Sequence, residues 1–370
     1  MSALLRVVSR SAALAVALCA APGLASAQTC NAPDSMKAAL AGHPTADTFA
    51  DLGIFLANQK QYACAAYAFA TSLKMKPDSA NVLFMFGTSL FFSGHAEDAV
   101  APLQAAEQME GWNLKTHLLL AAVFDQLYRS DEAEADWRAA LGIDPESTEA
   151  LDGLAQDLVP DRKFAETIEL LENPRAARLR TAVQSLNLGI AYAGTGQTGQ
   201  AIDALRDGLN TTPGSTAIAN ELADLLGRAD QIDDAVAVLA LARHPEDQET
   251  ALHALRLLMA ANSGKAKQAG QDLLRAFPKS WEALYLNGVL AMQDGDFSQA
   301  RAYLSQSIAL NTGFALTHSA LGVVLARMND LAGAKAELDR AIALGDTSEE
   351  THENLARVVA ASHPAVSQLL

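Results

Sequence analysis

A few features of this 370-residue sequence could carry chemistry. Residues Gly194-Thr195-Gly196-Gln197-Thr198-Gly199 have the G-x-G-x-x-G spacing. In a dinucleotide-binding turn such glycines admit a pyrophosphate to the backbone, provided that a strand precedes them and a helix follows. Here helical spacing lies on both sides, so the stretch reads as a glycine-rich turn between two helices. His117, His253, His318 and His352 are possible metal ligands. Phe84, Phe91 and Phe92 gather aromatic surface in a chain that is only 6% aromatic. There is no P-loop, no G-x-S-x-G nucleophile elbow and no H-E-x-x-H. Asn210-Thr211-Thr212 is a formal glycosylation sequon, a pattern short enough to arise by chance. No constellation assembles a nucleophile, a base and an oxyanion site, so no enzymatic activity and no cofactor are expected.

Composition narrows the class. Half of the chain is apolar, which excludes disorder. With 23 Gly and 12 Pro it is far from a collagen-like chain, and three Cys exclude a disulfide-dense scaffold. A net charge of −16 argues against nucleic acid as a partner, because binding phosphate needs a basic footprint.

Residues 1–27 read as a secretory signal peptide. Arg6 and Arg10 give a positive start, Ser11 to Ala20 a short apolar run, and Ala25-Ser26-Ala27 a small-x-small cleavage site before Gln28. The apolar run is too short to span a bilayer, which takes about 20 residues. Bulky Leu18 before Cys19 disfavours a lipoprotein site. Cleavage removes two arginines and no acids, taking the charge from −16 to −18. The expected location is a periplasm or the cell exterior, with no membrane segment in the mature chain. Cys30 and Cys64 then remain, and an even count in an oxidising compartment favours one bridge over two free thiols. In the chain-entropy picture that bridge contributes about 3 kcal/mol.

The elements that must position these residues follow from internal repetition. Stepping by 34 from Leu52-Gly53 meets Phe86-Gly87, Leu120-Ala121, Leu154-Ala155, Leu188-Gly189 and Leu222-Ala223. Arg256-Leu257 breaks the series, which resumes at Asn287-Gly288 and Leu321-Gly322. In the same register run Ala65, Ala99, Ala133, Thr167, Ala201, Ala235, Ala269, Ala300 and Ala334. A large apolar residue follows each by four: Phe69, Leu103, Trp137, Leu171, Leu205, Leu239, Leu273, Leu304 and Leu338. Apolar residues at helical spacing, such as Phe49, Leu52 and Leu56, give one buried stripe per helix. Small residues let a partner helix approach, and Gly94, Gly196, Gly264 and Gly295 supply turns. A single helical hairpin cannot bury its own stripe, so neighbours must stack.

Leu186-Asn187-Leu188-Gly189-Ile190-Ala191-Tyr192, then Ala201, Leu205 and Pro213, resemble the tetratricopeptide repeat, with Ser185 in the place of its Trp. The resemblance implies an all-α fold, a right-handed superhelical solenoid of antiparallel helix pairs. It divides the chain into nine repeats: 46–79, 80–113, 114–147, 148–181, 182–215, 216–249, 250–280, 281–314 and 315–348. A tail or half-repeat precedes them at 28–45, and a capping helix with a tail follows at 349–370. Pro160 and Pro174 in the fourth repeat, and the short seventh repeat with Arg256, predict irregular stacking near 160–180 or 260–280. The four histidines fall at the fourth place of their repeats. Helices between adjacent repeats sit 8–10 Å apart, too far for His318 and His352 to share an ion, so half-buried packing roles and no metal are expected.

The resemblance also places a partner. In this family the first helix of each repeat lines a concave groove that takes an extended peptide or a helix. Groove-facing places in the second repeat hold Asn81, Phe84, Thr88, Phe91 and Phe92, with Leu118, Tyr285 and Met292 in other repeats. The phenylalanines either anchor a partner or pack against neighbouring helices. Asp125, Glu149, Asp152, Glu221 and Asp224 lend the groove an acidic lean against Lys115 and Arg228. Ala50, Ile54, Phe84 and Thr88 occupy the places where some members clamp a C-terminal carboxylate, and only Asn187 and Asn220 suit an asparagine ladder. The expected function is a non-enzymatic scaffold binding an apolar, neutral or basic protein segment in cell-envelope assembly, secretion or polysaccharide export. The alternative is a carbohydrate-binding accessory of exopolysaccharide assembly, which would call for exposed Trp or Tyr platforms. Oligomeric state is not specified by the sequence.

Overall fold

The computed structural model describes residue 30 and residues 33–110, 113–173, 180–242 and 247–362. The signal-peptide reading, Pro174 and the tail beyond residue 362 lie outside the described residues. Within them the structure is helices and turns, with no strand. A short α1 (Asp34–Ala41) precedes a run of helix pairs. The first pairs are α2 and α3 (Ala46–Asn58, Tyr62–Met75), α4 and α5 (Ala80–Phe92, Ala96–Glu110) and α6 and α7 (Leu114–Gln126, Ser130–Ile143). Next come α8 and α9 (Thr148–Leu158, Phe164–Leu171), α10 and α11 (Ala182–Gly194, Thr198–Thr211) and α12 and α13 (Thr216–Arg228, Ile232–Ala242). The last pairs are α14 and α15 (Gln248–Ala260, Ala266–Ala276), α16 and α17 (Trp281–Gln293, Phe297–Leu310) and α18 and α19 (Ala315–Arg327, Leu331–Ala343), before α20 (Glu349–Ser362). No described helix is long and apolar enough to cross a membrane.

The chain divides into two compact units, Met1–Asn187 and Leu188–Leu370. Unit 1 contains a core running from Leu56 and Phe69 through Leu83, Leu103 and Phe124 to Trp137 and Leu158. Unit 2 contains a core around Leu252, Leu255 and Leu273 and another around Leu304, Leu321 and Leu338.

Five of the pairs close where a glycine on the first helix meets a large residue on the second. A methyl group added at Gly53 would lie 2.5 Å from the Phe69 ring, and one at Gly87 2.5 Å from Leu103 Cγ. Gly189 stands so to Leu205, Gly288 to Leu304 and Gly322 to Leu338, always sixteen residues on. Buried hydroxyls reinforce the closure. Ser72 Oγ donates to Ala46 O and Ser307 Oγ to Trp281 O, each at 2.7 Å, so neither is buried without a partner.

The turns repeat as closely as the helices. Left-handed backbone occurs at Lys60, Gly94, Tyr128, Arg162, Gly196 and Asp230, spaced by 34 residues, and again at Asn262, Gly295 and Asn329. After each of the first six, the next N–H reaches back five residues: Gln61 to Leu56 O, His95 to Leu90 O, Arg129 to Phe124 O. This is the helix stop in which a left-handed residue lets two N–H groups satisfy the last carbonyls. Gly264 lies within its turn, but Asn262 takes the left-handed place.

Two regions are irregular. Helix α9 has only 8 residues where α11 has 14. In α15 the residues fully buried are Ala266, Gly270 and Leu273, and Ala269 is only half-buried. Cys30 and Cys64 form a disulfide with their Cα atoms 5.5 Å apart, tying the segment before α1 to α3.

Candidate functional site

The first-helix positions singled out in unit 1 fall into two environments. On α4, Phe84 and Phe91 are half-buried and pack on the core of unit 1, as does Leu118 on α6. Asn81 and Phe92 are exposed. Thr88 is half-buried, its hydroxyl donating to Phe84 O at 2.7 Å. Phe92 is 56% exposed, and its ring stacks on Tyr62 with centroids 5.2 Å apart while the Phe91 ring meets its edge at 5.3 Å. Tyr62 opens α3, so the exposed aromatic surface is built by two hairpins. A first-helix pattern alone cannot show that partner.

In unit 2, Tyr285 and Met292 are half-buried against the core of α16–α20. Tyr285 meets Phe314 edge to face at 5.3 Å, and Trp281 meets the same ring at 4.7 Å. Burial pushes the Tyr285 hydroxyl up from its ordinary range. Trp281 and Phe314 were not singled out from the sequence. Trp137, by contrast, fills the core place its register gives it, at 4% exposed, and is no platform for a sugar.

The acidic positions carry internal bonds. Asp152 Oδ1 accepts from Thr181 Oγ1 at 2.8 Å and from Gln184 Nε2 at 2.7 Å. Asp125 Oδ2 accepts from Trp137 Nε1–H at 3.2 Å and its carboxyl sits against Asp157. Burial raises both carboxyls, and the neighbouring charge of Asp125 helps push Asp157 up to about 7. Asn187 is buried, and Asn220 Oδ1 bonds the His253 ring, so neither stands free in an asparagine ladder.

The histidines do more than fill space. His117 and His318 are buried, and each pairs its Nδ1 with a carboxylate nineteen residues on, Asp136 at 2.7 Å and Glu337 at 2.6 Å. His253 reaches Asp224 Oδ1 at 2.8 Å. His352 corrects the expectation of a half-buried role: it is exposed and bonds Ser348 O at the start of α20. Among the described residues no further helix follows α20 to cover it.

The repeated lock of a glycine against a large residue sixteen positions on, with a left-handed turn every 34 residues from Lys60 to Asp230, decides the fold type. The hairpins are tetratricopeptide-like. Solved structures that the chain resembles include a tetratricopeptide repeat protein from Parabacteroides merdae, at 12% identity and TM-score 0.46, covering 76% of this chain and 98% of that one. PilW, a type IV pilus biogenesis factor, is 23% identical with TM-score 0.43, over 57% of this chain and 98% of its own. YrrB, described as having an unusual peptide-binding site, is 16% identical with TM-score 0.40, over 49% and 95%. No family model matches the sequence, and no curated protein does.

Proposed function

We propose that this tetratricopeptide-like chain is a non-enzymatic scaffold, exported from the cytoplasm, that holds an apolar segment of a protein partner on unit 1. The observation that carries the reading is Phe92: a large ring more than half exposed, held in place by Tyr62 and Phe91. A preordered aromatic loses little freedom on binding and offers a large contact area, which is the profile of an interface anchor. The Cys30–Cys64 bridge supports an oxidising compartment, periplasm or exterior, since such bridges do not persist in a reducing cytosol. The net negative charge favours a neutral or basic partner over an acidic one. The cellular setting that the family resemblance implies is envelope assembly, secretion or polysaccharide export.

The test is a photo-crosslinker at position 92 in living cells, compared with one at Tyr67, an exposed residue on α3. A discrete protein adduct formed at 92, absent at 67 and lost in Phe91→Ala with a reporter at Asn81, is expected. Unchanged capture in Phe91→Ala/Phe92→Ala, with helical content intact by circular dichroism, would remove the anchor.

A further inference from the structure

Three side chains from three consecutive helices converge in unit 1: Glu107 from α5, His117 from α6 and Asp136 from α7. Each offers a ligand atom, and these atoms all lie within 4.8 Å of one another. His117 Nδ1 is 2.7 Å from Asp136 Oδ1, and its Nε2 is 3.8 Å from Glu107 Oε1. The ring is 6% exposed, while Glu107 keeps a third of its side chain in solvent. The group opens on a cavity of about 610 Å³ also lined by Gln104, Gln108 and Glu132.

We propose that Glu107, His117 and Asp136 form a binding site for a divalent transition ion of the zinc type. An imidazole with two carboxylates is a borderline donor set, suited to zinc rather than to calcium or magnesium, which take oxygen alone. Bonds of about 2.1 Å in a tetrahedron set donors about 3.4 Å apart. His117 meets the two carboxylates through different ring nitrogens, of which one ion takes only one; the three ligand atoms lie within 4.8 Å of one another, and Glu107, long and partly exposed, closes the remaining distance by turning its side chain. Water from the cavity completes the coordination, as in sites with three protein ligands. Charge points the same way. Two carboxylates flank the imidazole. A cation held by this group is attracted by both carboxylates.

Unit 2 contains an internal control. His318 and Glu337 repeat the pair at the same separation of nineteen residues. At the register position of Glu107, however, that repeat has Ile308, which packs on the core. The pair is therefore a recurrent piece of packing, and the third donor is particular to His117.

The test uses the full chain, untagged and stripped with chelator, titrated with zinc by calorimetry and with cobalt(II) by visible absorption. One zinc per chain is expected, with a tetrahedral cobalt spectrum. Glu107→Gln, which leaves the His117–Asp136 pair in place, should weaken zinc by about tenfold or more, and His318→Gln should leave it unchanged. Absence of saturable binding, wild-type affinity in Glu107→Gln, or loss of binding in His318→Gln would overturn the assignment. Circular dichroism of each variant separates loss of ligation from loss of fold.

Discussion

Replacing Gly153 by Ala tests how closely neighbouring hairpins are fitted. Gly153 lies on α8, and a methyl group there would sit 2.3 Å from Trp137 Cε2, 2.5 Å from Cζ2 and 2.8 Å from Cδ2. These are atoms of a rigid indole at 4% exposure, fixed at its edge by the bond to Asp125. The ring cannot rotate a terminal methyl aside, as a leucine could, so it must shift as a whole. Overpacking of this kind costs about 1–3 kcal/mol. Weakening the Trp137–Asp125 bond costs about 1 kcal/mol more. Against this, alanine is favoured over glycine in a helix interior by about 1 kcal/mol. The expected net is a loss of about 1–3 kcal/mol. Gly199, in the first turn of α11, has nothing within 4 Å of the place an added methyl would take, so Gly199→Ala should gain up to about 1 kcal/mol. Urea unfolding followed by far-ultraviolet circular dichroism and tryptophan emission reads both variants. A Gly153→Ala chain as stable as its parent, with unaltered emission, would refute the fit between α8 and Trp137.

Tyr128 is 93% exposed and holds a left-handed turn at φ 57°. Tyr128→Gly should raise stability by about 0.5–1 kcal/mol, the left-handed penalty of a bulky residue less the added freedom of glycine in the unfolded chain; a lower unfolding midpoint would contradict this. Asp157 binds its proton more tightly folded than unfolded, so its contribution is present at low pH and is lost as pH rises from about 4 through about 7. Asp157→Asn should therefore flatten that part of the stability profile and exceed the parent in urea midpoint at pH 8, with little difference at pH 4; equal pH slopes for the two chains would count against a raised Asp157 carboxyl.

Much of the fold is written in residue size. Gly53, Gly87, Gly189, Gly288 and Gly322 mark the closest approach of two helices, and the large residue sixteen places on is visible at once. The turns are half hidden. Gly94 and Gly196 announce a left-handed residue, but Lys60, Tyr128 and Arg162 adopt the same backbone with side chains that disfavour it. There the helix stop is imposed by the closure of the hairpin and not by local preference. Pro102 is hidden in the opposite sense: it sits inside α5 without ending it, since Ala99, Leu103 and Ala106 on either side are buried in the core. The candidate sites were less legible because they join separate helices. Phe92 was visible, but not Tyr62 beneath it. His117 was visible, but its carboxylates come from helices before and after, at separations that no single-helix period marks.

The glycine lock has a consequence for how such a chain can change length. In five hairpins both halves of the lock belong to the same pair of helices, so the pair carries its own fastening wherever it is inserted. Gain or loss of a whole module leaves every remaining lock engaged, whereas removal of a few residues sets a bulky side chain against the wrong neighbour. Other glycines meet side chains across module borders, Gly153 at Trp137, Gly227 at Leu257 and Gly270 at Asn287, so those contacts depend on which neighbour is present. The hairpin is in that sense the unit in which the fastening of this molecule is counted.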